Sequence, residues 1–385
     1  MRLKGYLREN GVVGIRNHLL IIPSSVCAST VAWRIAEQVE GAVALPNQHG
    51  CAQIKPDLDV TFRTLAGLGK NGNIGAVLVI GLGCESLDTE ALARDISSSG
   101  KDVEYLVIQK AGGTLSAQEK GLKIARKMSQ HVSRMEREPI DISQIILGLE
   151  CGGSDTTSGL AANPSQGYVS DKLVRSGGTS ILSETTELIG AEHILAERAI
   201  SDEVATTLLR IVRECENKAK RMGVDLRGSQ PTPGNITGGL STIEEKSLGC
   251  IYKGGTMPLA GVLEYSEIPS GKGLHMMDTP GQDIESITGM VAGGAQIVLF
   301  TTGRGTPTGC PVAPVIKITG NPGTFTLMEE NIDINAGTII QGLESIEQVG
   351  EKIWDEMIDV INGRLTKAEA LRHGEFGIYK LTSTF

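Results

Sequence analysis

Residues 74–84 read IGAVLVIGLGC: a β-branched apolar run of strand length, a glycine turn, then a cysteine. The same form recurs in HLLIIPSSVC (18–27), GAVALPNQHGC (41–51) and QIILGLEC (144–151). Strands that are apolar on nearly every residue are those of a parallel sheet covered on both faces. Each run is followed by a helical pattern, and strand–turn–helix repetition of this kind predicts an α/β fold. In open α/β sheets the carboxyl ends of the strands face one crevice, where ligands bind. Cys27, Cys51, Cys84 and Cys151 are therefore expected at a ligand site.

Working outward, residues 1–17 read as a hairpin or extended lead-in. Strands are expected at 18–23, 42–46, 75–80 and 103–108, with helices at 28–40, 56–68, 88–98 and 114–134. This makes a flavodoxin-like parallel-sheet domain over residues 1–137. The charged stretch HVSRMEREPIDIS (131–143) marks the boundary. A larger Rossmann-like parallel α/β domain follows over 138–385, with strands at 144–149, 179–182, 272–277, 295–300 and 314–318. Its helices are expected at 165–176, 201–222 and 345–362, and LRGSQPTPGNITGGLS (226–241) reads as a loop.

Composition narrows the function. The chain has 385 residues, a net charge of −9 and 3% aromatic residues, which argues against a nucleic-acid partner. No apolar run approaches the roughly 20 residues that span a bilayer, and MRLKGYLREN is not a signal peptide, so a cytoplasmic location is expected. Seven widely spaced cysteines make no disulfide framework, and reduced thiols are expected. There is no G-x-x-x-x-G-K-[ST] and no well-placed G-x-G-x-x-G, so a P-loop NTPase and a dehydrogenase are both disfavoured.

Thiolates are soft ligands for iron, zinc or a cluster. Cys27, Cys51, Cys84 and Cys151 are candidate metal ligands, with His49 in NQHGC beside them; burial as small hydrophobes is the alternative for any one cysteine. The loop ECGGSDTTSGLAANPSQG (150–167) puts Ser154, Asp155, Ser158 and Asn163 before a helix, which suits either substrate binding or helix capping. SETTELIGAEH (183–193) places Glu184 and Glu187 three residues apart, on one face of a helix if one forms, as acid/base groups or as a solvated face. Lys246 in IEEKSLG is a candidate base, Asp155 a candidate acid, with Glu187 in reserve. Arg16, with its neighbour Asn17, and Arg304 in FTTGRGTPTGCP (300–311) are candidates for capturing substrate carboxylates.

Taken together, GYLRENGVVGIRNHLLI, IGLGCE, ECGGSDTTSGLAANPSQG, SETTELIGAEH, PGNITGGLSTIEEKSLG, MDTPG and FTTGRGTPTG resemble the altronate/galactarate dehydratase family over nearly the whole chain. The resemblance implies a hydro-lyase, dependent on Fe2+ or a labile iron–sulfur cluster, that converts a sugar acid to a 2-keto-3-deoxy acid. Members of that family commonly carry a small domain ahead of the GY-x-R segment. Its absence here resembles the related (2R)-sulfolactate sulfo-lyase large subunit, while the cysteines and FTTGRG resemble the dehydratase form. The alternative readings are therefore that lyase subunit, or a non-catalytic iron–sulfur or scaffold subunit. A separate small subunit, together with self-association, is the expected partnership, and the substrate is a small sugar acid.

Overall fold

The computed structural model describes residues 3–382. In chain order the strands are β1 (Leu3–Leu7), β2 (Val13–Gly14), β3 (His18–Pro23), β4 (Ala42–Ala44), β5 (Ile74–Gly81), β6 (Asp102–Val107), β7 (Glu138–Ile140), β8 (Ile146–Gly152), β9 (Thr179–Leu182), β10 (Leu259–Leu263), β11 (Gly273–Met277), β12 (Ile297–Thr302), β13 (Val315–Thr319) and β14 (Ile334–Asn335). β5 is buried at every position, as its unbroken apolar run requires. It pairs in parallel with β3 and β6, and the sheet order is β4-β3-β5-β6. Numbered within this unit that is 2-1-3-4, the start of the flavodoxin order. Helices at Ser29–Ala36 and Thr114–Val132 cover one face through Leu19, Ile21, Ala76 and Leu78.

A second sheet of seven strands runs β10-β11-β9-β8-β12-β13-β14, every pairing parallel. From β8 the chain moves to one side to form β9, and later lays β12 on the other side. The order therefore reverses at β8/β12, and the carboxyl ends there open a crevice for ligands. The register sets Thr301 opposite Cys151 and Thr302 opposite Gly152. Among the elements not foreseen are β10, whose LAGVL is short and broken by glycine, the helix Asp283–Ala292, hidden behind the turn-forming MDTPG, the helix Ile243–Cys250, and the short helices Leu226–Ser229 and Pro233–Thr237 in the stretch expected as a loop.

The sheets share an apolar layer in which Leu20, Val77 and Val79 meet Met290, Val298 and Phe300. Helix Lys55–Lys70 lies so close to helix Asp283–Ala292 that a Cβ on Gly67 would stand 2.3 Å from the carbonyl oxygen of Ala292. Polar bonds fix the joint. The Asn73 side chain accepts from the Ile15 N–H at 2.8 Å and donates to the carbonyls of Gln296 (2.8 Å) and Val312 (3.1 Å). The lead-in forms a small antiparallel sheet, β2-β1-β7.

Arg16 and Asn17 belong to this joint. The buried guanidinium of Arg16 grips both oxygens of Glu369 at 2.6 and 2.8 Å and donates to the carbonyls of Ile15, Val360 and Arg364. Asn17 accepts from Arg8 at 2.9 Å and donates to the Val132 carbonyl at 2.9 Å. Their donors are engaged by the protein itself. No helix among the described residues is long and apolar enough to cross a membrane.

Candidate active site

The last residues of β8, Glu150, Cys151 and Gly152, sit at the reversal point of the large sheet. Around them gather Glu184 and Glu187 from the turn after β9, Lys246 and Cys250 from helix Ile243–Cys250, Lys253 from the next turn, and Asp283 from the first turn of helix Asp283–Ala292. Glu184 does not start a regular helix. It takes a left-handed φ of 69° before a single tight turn, and both glutamates point inward, each at most 3% exposed. The expected i,i+3 pair is therefore a buried pair.

Buried carboxylates persist only if they are paired. Lys253, 1% exposed, supplies the counter-charge: its ammonium lies 2.8 Å from Glu184 Oε2 and 2.6 Å from Glu187 Oε2. Lys246 approaches Glu187 Oε1 at 3.2 Å. Burial alone would raise the Glu187 carboxyl, but Lys253 and then Lys246 pull it down to about 2. Burial would release the Lys246 proton; Glu187 instead holds that ammonium protonated well above its ordinary range. Lys246 is thus held as a cation, which suits binding an anion or delivering a proton more than abstracting one. Burial, with Lys253 opposing and Asp283 reinforcing, pushes Glu150 up to about 8, and burial beside Glu150 and Glu187 raises Glu184. Cys151, 1% exposed, shares a hydrogen bond of 2.9 Å with Ser154 Oγ, and a further bond from Cys250 lowers its thiol to about 7.

Above this cluster lies a cavity of about 240 Å3, lined among others by Ser154, Asp155, Thr156, Ser158, Asn163, Lys246 and Cys250. Asp155 is fixed there by four donations: from Thr157 Oγ1 (2.6 Å), the Ser158 N–H (3.0 Å) and Ser158 Oγ (3.3 Å) to Oδ1, and from Asn321 Nδ2 (3.0 Å) to Oδ2. Asn163 donates to the Gly249 carbonyl at 2.9 Å and accepts from Thr301 Oγ1 at 2.6 Å. Arg304 is exposed beside this loop: its backbone N–H donates to the Gly153 carbonyl at 3.1 Å and its guanidinium to the Gly234 carbonyl at 3.3 Å. The structure therefore brings Ser154, Asp155, Ser158, Asn163, Lys246 and Cys151 to one place, with Glu187 beneath Lys246.

Cys27, Cys51 and Cys84 stand elsewhere, on the loops that follow β3, β4 and β5, and none lines this cavity. Those loops are joined by backbone bonds, Val26 N–H to the His49 carbonyl (3.1 Å) and Leu87 N–H to the Gly50 carbonyl (3.0 Å). All three thiols are exposed, and they are not among the described groups whose three donor atoms lie within 4.8 Å of one another. His49 is half-buried, and burial lowers its imidazole. Glu85, beside Cys84, accepts from the N–H groups of Leu82 and Gly83 and from the hydroxyls of Ser24 and Thr89, so it braces its own turn.

Sequence reasoning did not select Glu150, Cys250, Lys253 or Asp283. One signal was present: Glu150 is the only charge in the strand run QIILGLEC. Lys253 lies 66 residues beyond Glu187, and no local pattern marks it as their counter-ion.

Comparison with known proteins agrees with the motifs. Residues 5–133 match the family model for the D-galactarate dehydratase/altronate hydrolase second domain, and residues 142–384 match the D-galactarate/altronate dehydratase C-terminal model. The chain is 40% identical to the (2R)-sulfolactate sulfo-lyase subunit beta of Chromohalobacter salexigens, over 98% of this chain and 97% of that protein. It is 34% identical to the altronate dehydratase of Bacillus subtilis, over 98% of this chain and 77% of that one. It is 37% identical to the galactarate dehydratase (L-threo-forming) of Escherichia coli, over 94% of this chain and 73% of that one. By its motifs and by these matches, which cover both halves of the chain, it belongs to the D-galactarate/altronate dehydratase family.

Proposed function

We propose that this protein is a hydro-lyase that removes water from a sugar acid to give a 2-keto-3-deoxy acid. The observation that carries the reading is the lining of the cavity: hydroxyls, an amide and a carboxylate suited to a polyol, with one fixed ammonium for a substrate anion. Ser154 and Thr156 bind substrate hydroxyls, while Ser158 and Asn163, engaged by Asp155, Gly249 and Thr301, hold the loop in place. Asp155 Oδ2, with a single partner, takes the proton from C2. The electron pair forms the C2–C3 double bond as the C3–O bond breaks, and Lys246 gives its proton to the departing hydroxyl, which leaves as water. The enol then tautomerises to the 2-keto acid. Glu187 positions Lys246 and keeps it charged, and Lys253 holds Glu187 from its other oxygen. Positioned proton transfer of this kind contributes on the order of 10²–10⁴ in rate.

Iron is the metal implied by the family resemblance. A single ion holding thiolates at roughly 2.3 Å would keep them within about 4.6 Å of one another, closer than Cys27, Cys51 and Cys84 stand as a trio. A cluster, in which each iron takes its own thiolate, is the form that these exposed thiols would hold, and since none of them lines the cavity no step of the elimination is routed through it. Seven free cysteines suit a reducing, cytoplasmic setting.

A second reading is supported by the match along almost the full length of a sulfolactate sulfo-lyase subunit: the same proton abstraction, with the C–S bond breaking instead of C–O. That protein is named as a subunit, and here Leu160, Leu248 and Tyr252 at the cavity rim are 65%, 45% and 56% exposed. We assign this apolar rim to a small partner chain that closes the site. An anaerobic panel of aldonates, aldarates and (2R)-sulfolactate, with and without a candidate small subunit, tests both readings. 2-Keto-3-deoxy acid from a sugar acid is the expected result; sulfite from sulfolactate alone would favour the second reading, and neither product would refute both.

A further inference from the structure

We propose that Cys151 and Cys250 form a redox modification site, in which hydrogen peroxide joins them in a disulfide that ties the loop after β8 to the helix carrying Lys246. The two Sγ atoms and a carboxylate oxygen of Glu187 all lie within 4.8 Å of one another. Cys151 stands near the carboxyl end of β8, and Cys250 is the last residue of helix Ile243–Cys250. Glycines bring these elements together. A Cβ built on Gly159 would stand 3.1 Å from Gly249 Cα, and one on Gly249 would stand 3.1 Å from Gly159 Cα. Loop and helix therefore touch backbone to backbone one residue before Cys250, which sets its thiol against Cys151. The sulfurs close from at most 4.8 Å to the roughly 2 Å of a disulfide. Rotation about the two Cα–Cβ bonds, with a small shift of the helix end, covers that distance.

The two thiols are not alike. A hydrogen bond from Cys250 lowers Cys151 to about 7, with Lys253 and Ser154 also working against its burial. Much of Cys151 is then thiolate at neutral pH, and the thiolate is the nucleophile. The same bond, together with burial, raises Cys250 well above the ordinary thiol range. Cys151 is thus the attacking sulfur and Cys250 the resolving one. The cavity supplies the way in. Cys250 lines it, as does Ser154, whose Oγ is 2.9 Å from Cys151 Sγ. Peroxide entering the cavity meets groups in direct contact with Cys151.

The chemistry takes two steps. The Cys151 thiolate attacks one peroxide oxygen and the O–O bond breaks. The departing hydroxide takes up the proton that Cys151 gave up and leaves as water, and Cys151 becomes a sulfenic acid. The Cys250 sulfur then attacks the Cys151 sulfur. The S–O bond breaks, and that hydroxide leaves with the Cys250 proton as a second water. The two thiols lose two electrons, and one peroxide is reduced to two waters. Lys246 lies one helical turn before Cys250, so the cross-link fixes the end of its helix to the loop. The modification does not depend on the identity of the substrate.

The test is peroxide treatment of the purified full chain carrying Cys27→Ser, Cys51→Ser and Cys84→Ser, which leaves Cys151, Cys215, Cys250 and Cys310 as its thiols. Free thiols are then alkylated in denaturant, and the digest is read by mass spectrometry without reductant. The expected result is loss of both thiols, a cross-linked pair of peptides holding Cys151 and Cys250, and recovery of both with dithiothreitol. The wild-type chain is expected to give the same pair. In a further Cys250→Ser variant, shown to be folded by circular dichroism, Cys151 is expected to stop at the sulfenic acid and be captured by dimedone. Full alkylation of Cys151 and Cys250 after peroxide would overturn the proposal. So would Cys151 carried to the sulfinic acid with Cys250 still free, or a cross-link to Cys215 or Cys310 in place of this pair.

Discussion

Replacing Arg16 by methionine separates a clamp from a substrate ligand. Its guanidinium makes two short bonds to Glu369 and three to the carbonyls of residues 15, 360 and 364, tying the lead-in before β3 to the C-terminal helices. The Arg16 and Glu369 side chains are 9% and 17% exposed, so the pair is well removed from water. Methionine fills much of the same volume, and the main loss is therefore the ionic partner. Removing one member of a buried pair costs about 3–5 kcal/mol, because the other charge is stranded. In a chain of this size each kcal/mol lowers the melting temperature by about 1.2 °C, so the fall should be roughly 4–6 °C. The assay pairs thermal unfolding by circular dichroism with steady-state kinetics well below the transition. The expected outcome is a fall in Tm of that size with KM within twofold of wild type. Were Arg16 to hold a substrate carboxylate, losing a charge-assisted bond of about 1.5–3 kcal/mol would raise KM at least tenfold. An unchanged Tm with such a KM would refute the clamp.

Other outcomes follow from the same geometry. Lys246→Met should lower kcat by about 10²–10⁴ if it delivers the proton, and Lys246→Arg should recover part of it; equal activity in Lys246→Met would remove Lys246 from the chemistry. Serine at Cys27, Cys51 and Cys84 should abolish bound iron and labile sulfide, and air should inactivate the native enzyme, since exposed thiolates oxidise readily; full activity after chelation in air would count against iron at these thiols. Burial, aided by Arg16, lowers the His18 imidazole from 6.5 to about 4. The unfolded chain then binds the extra proton across that window, so His18 contributes stability above pH 6.5 that is lost as pH falls through 4. Urea unfolding of His18→Gln should show a shallower acid loss, and an unchanged slope would exclude His18 as its source.

The sheets were legible because strands covered on both faces leave uninterrupted apolar runs: β3, β5 and β9 lie where such runs occur. β10 was not, because LAGVL is too short and glycine-broken to stand out. In the candidate site, the loop after β8 was readable from its dense hydroxyls and glycines, and the cavity is lined by Ser154, Asp155, Ser158 and Asn163. What lay beyond reach was burial. Spacing of three residues puts Glu184 and Glu187 together in a helix or a tight turn alike, but only the arrival of Lys253, far along the chain, allows both to be interior. Arg16 illustrates the converse: an arginine offered for a substrate carboxylate is gripped by Glu369, 353 residues away.

We propose that the loop after β8 carries the elimination, with Asp155 removing the C2 proton. The most direct measurement is single-turnover formation of 2-keto acid by wild type and Asp155→Asn, using the sugar acid that the panel identifies, with Tm recorded for both. A fall in rate of at least about 100-fold is expected. Tm should drop by no more than the few degrees expected from one misplaced donor facing Asn321. Turnover by Asp155→Asn equal to that of wild type would contradict it.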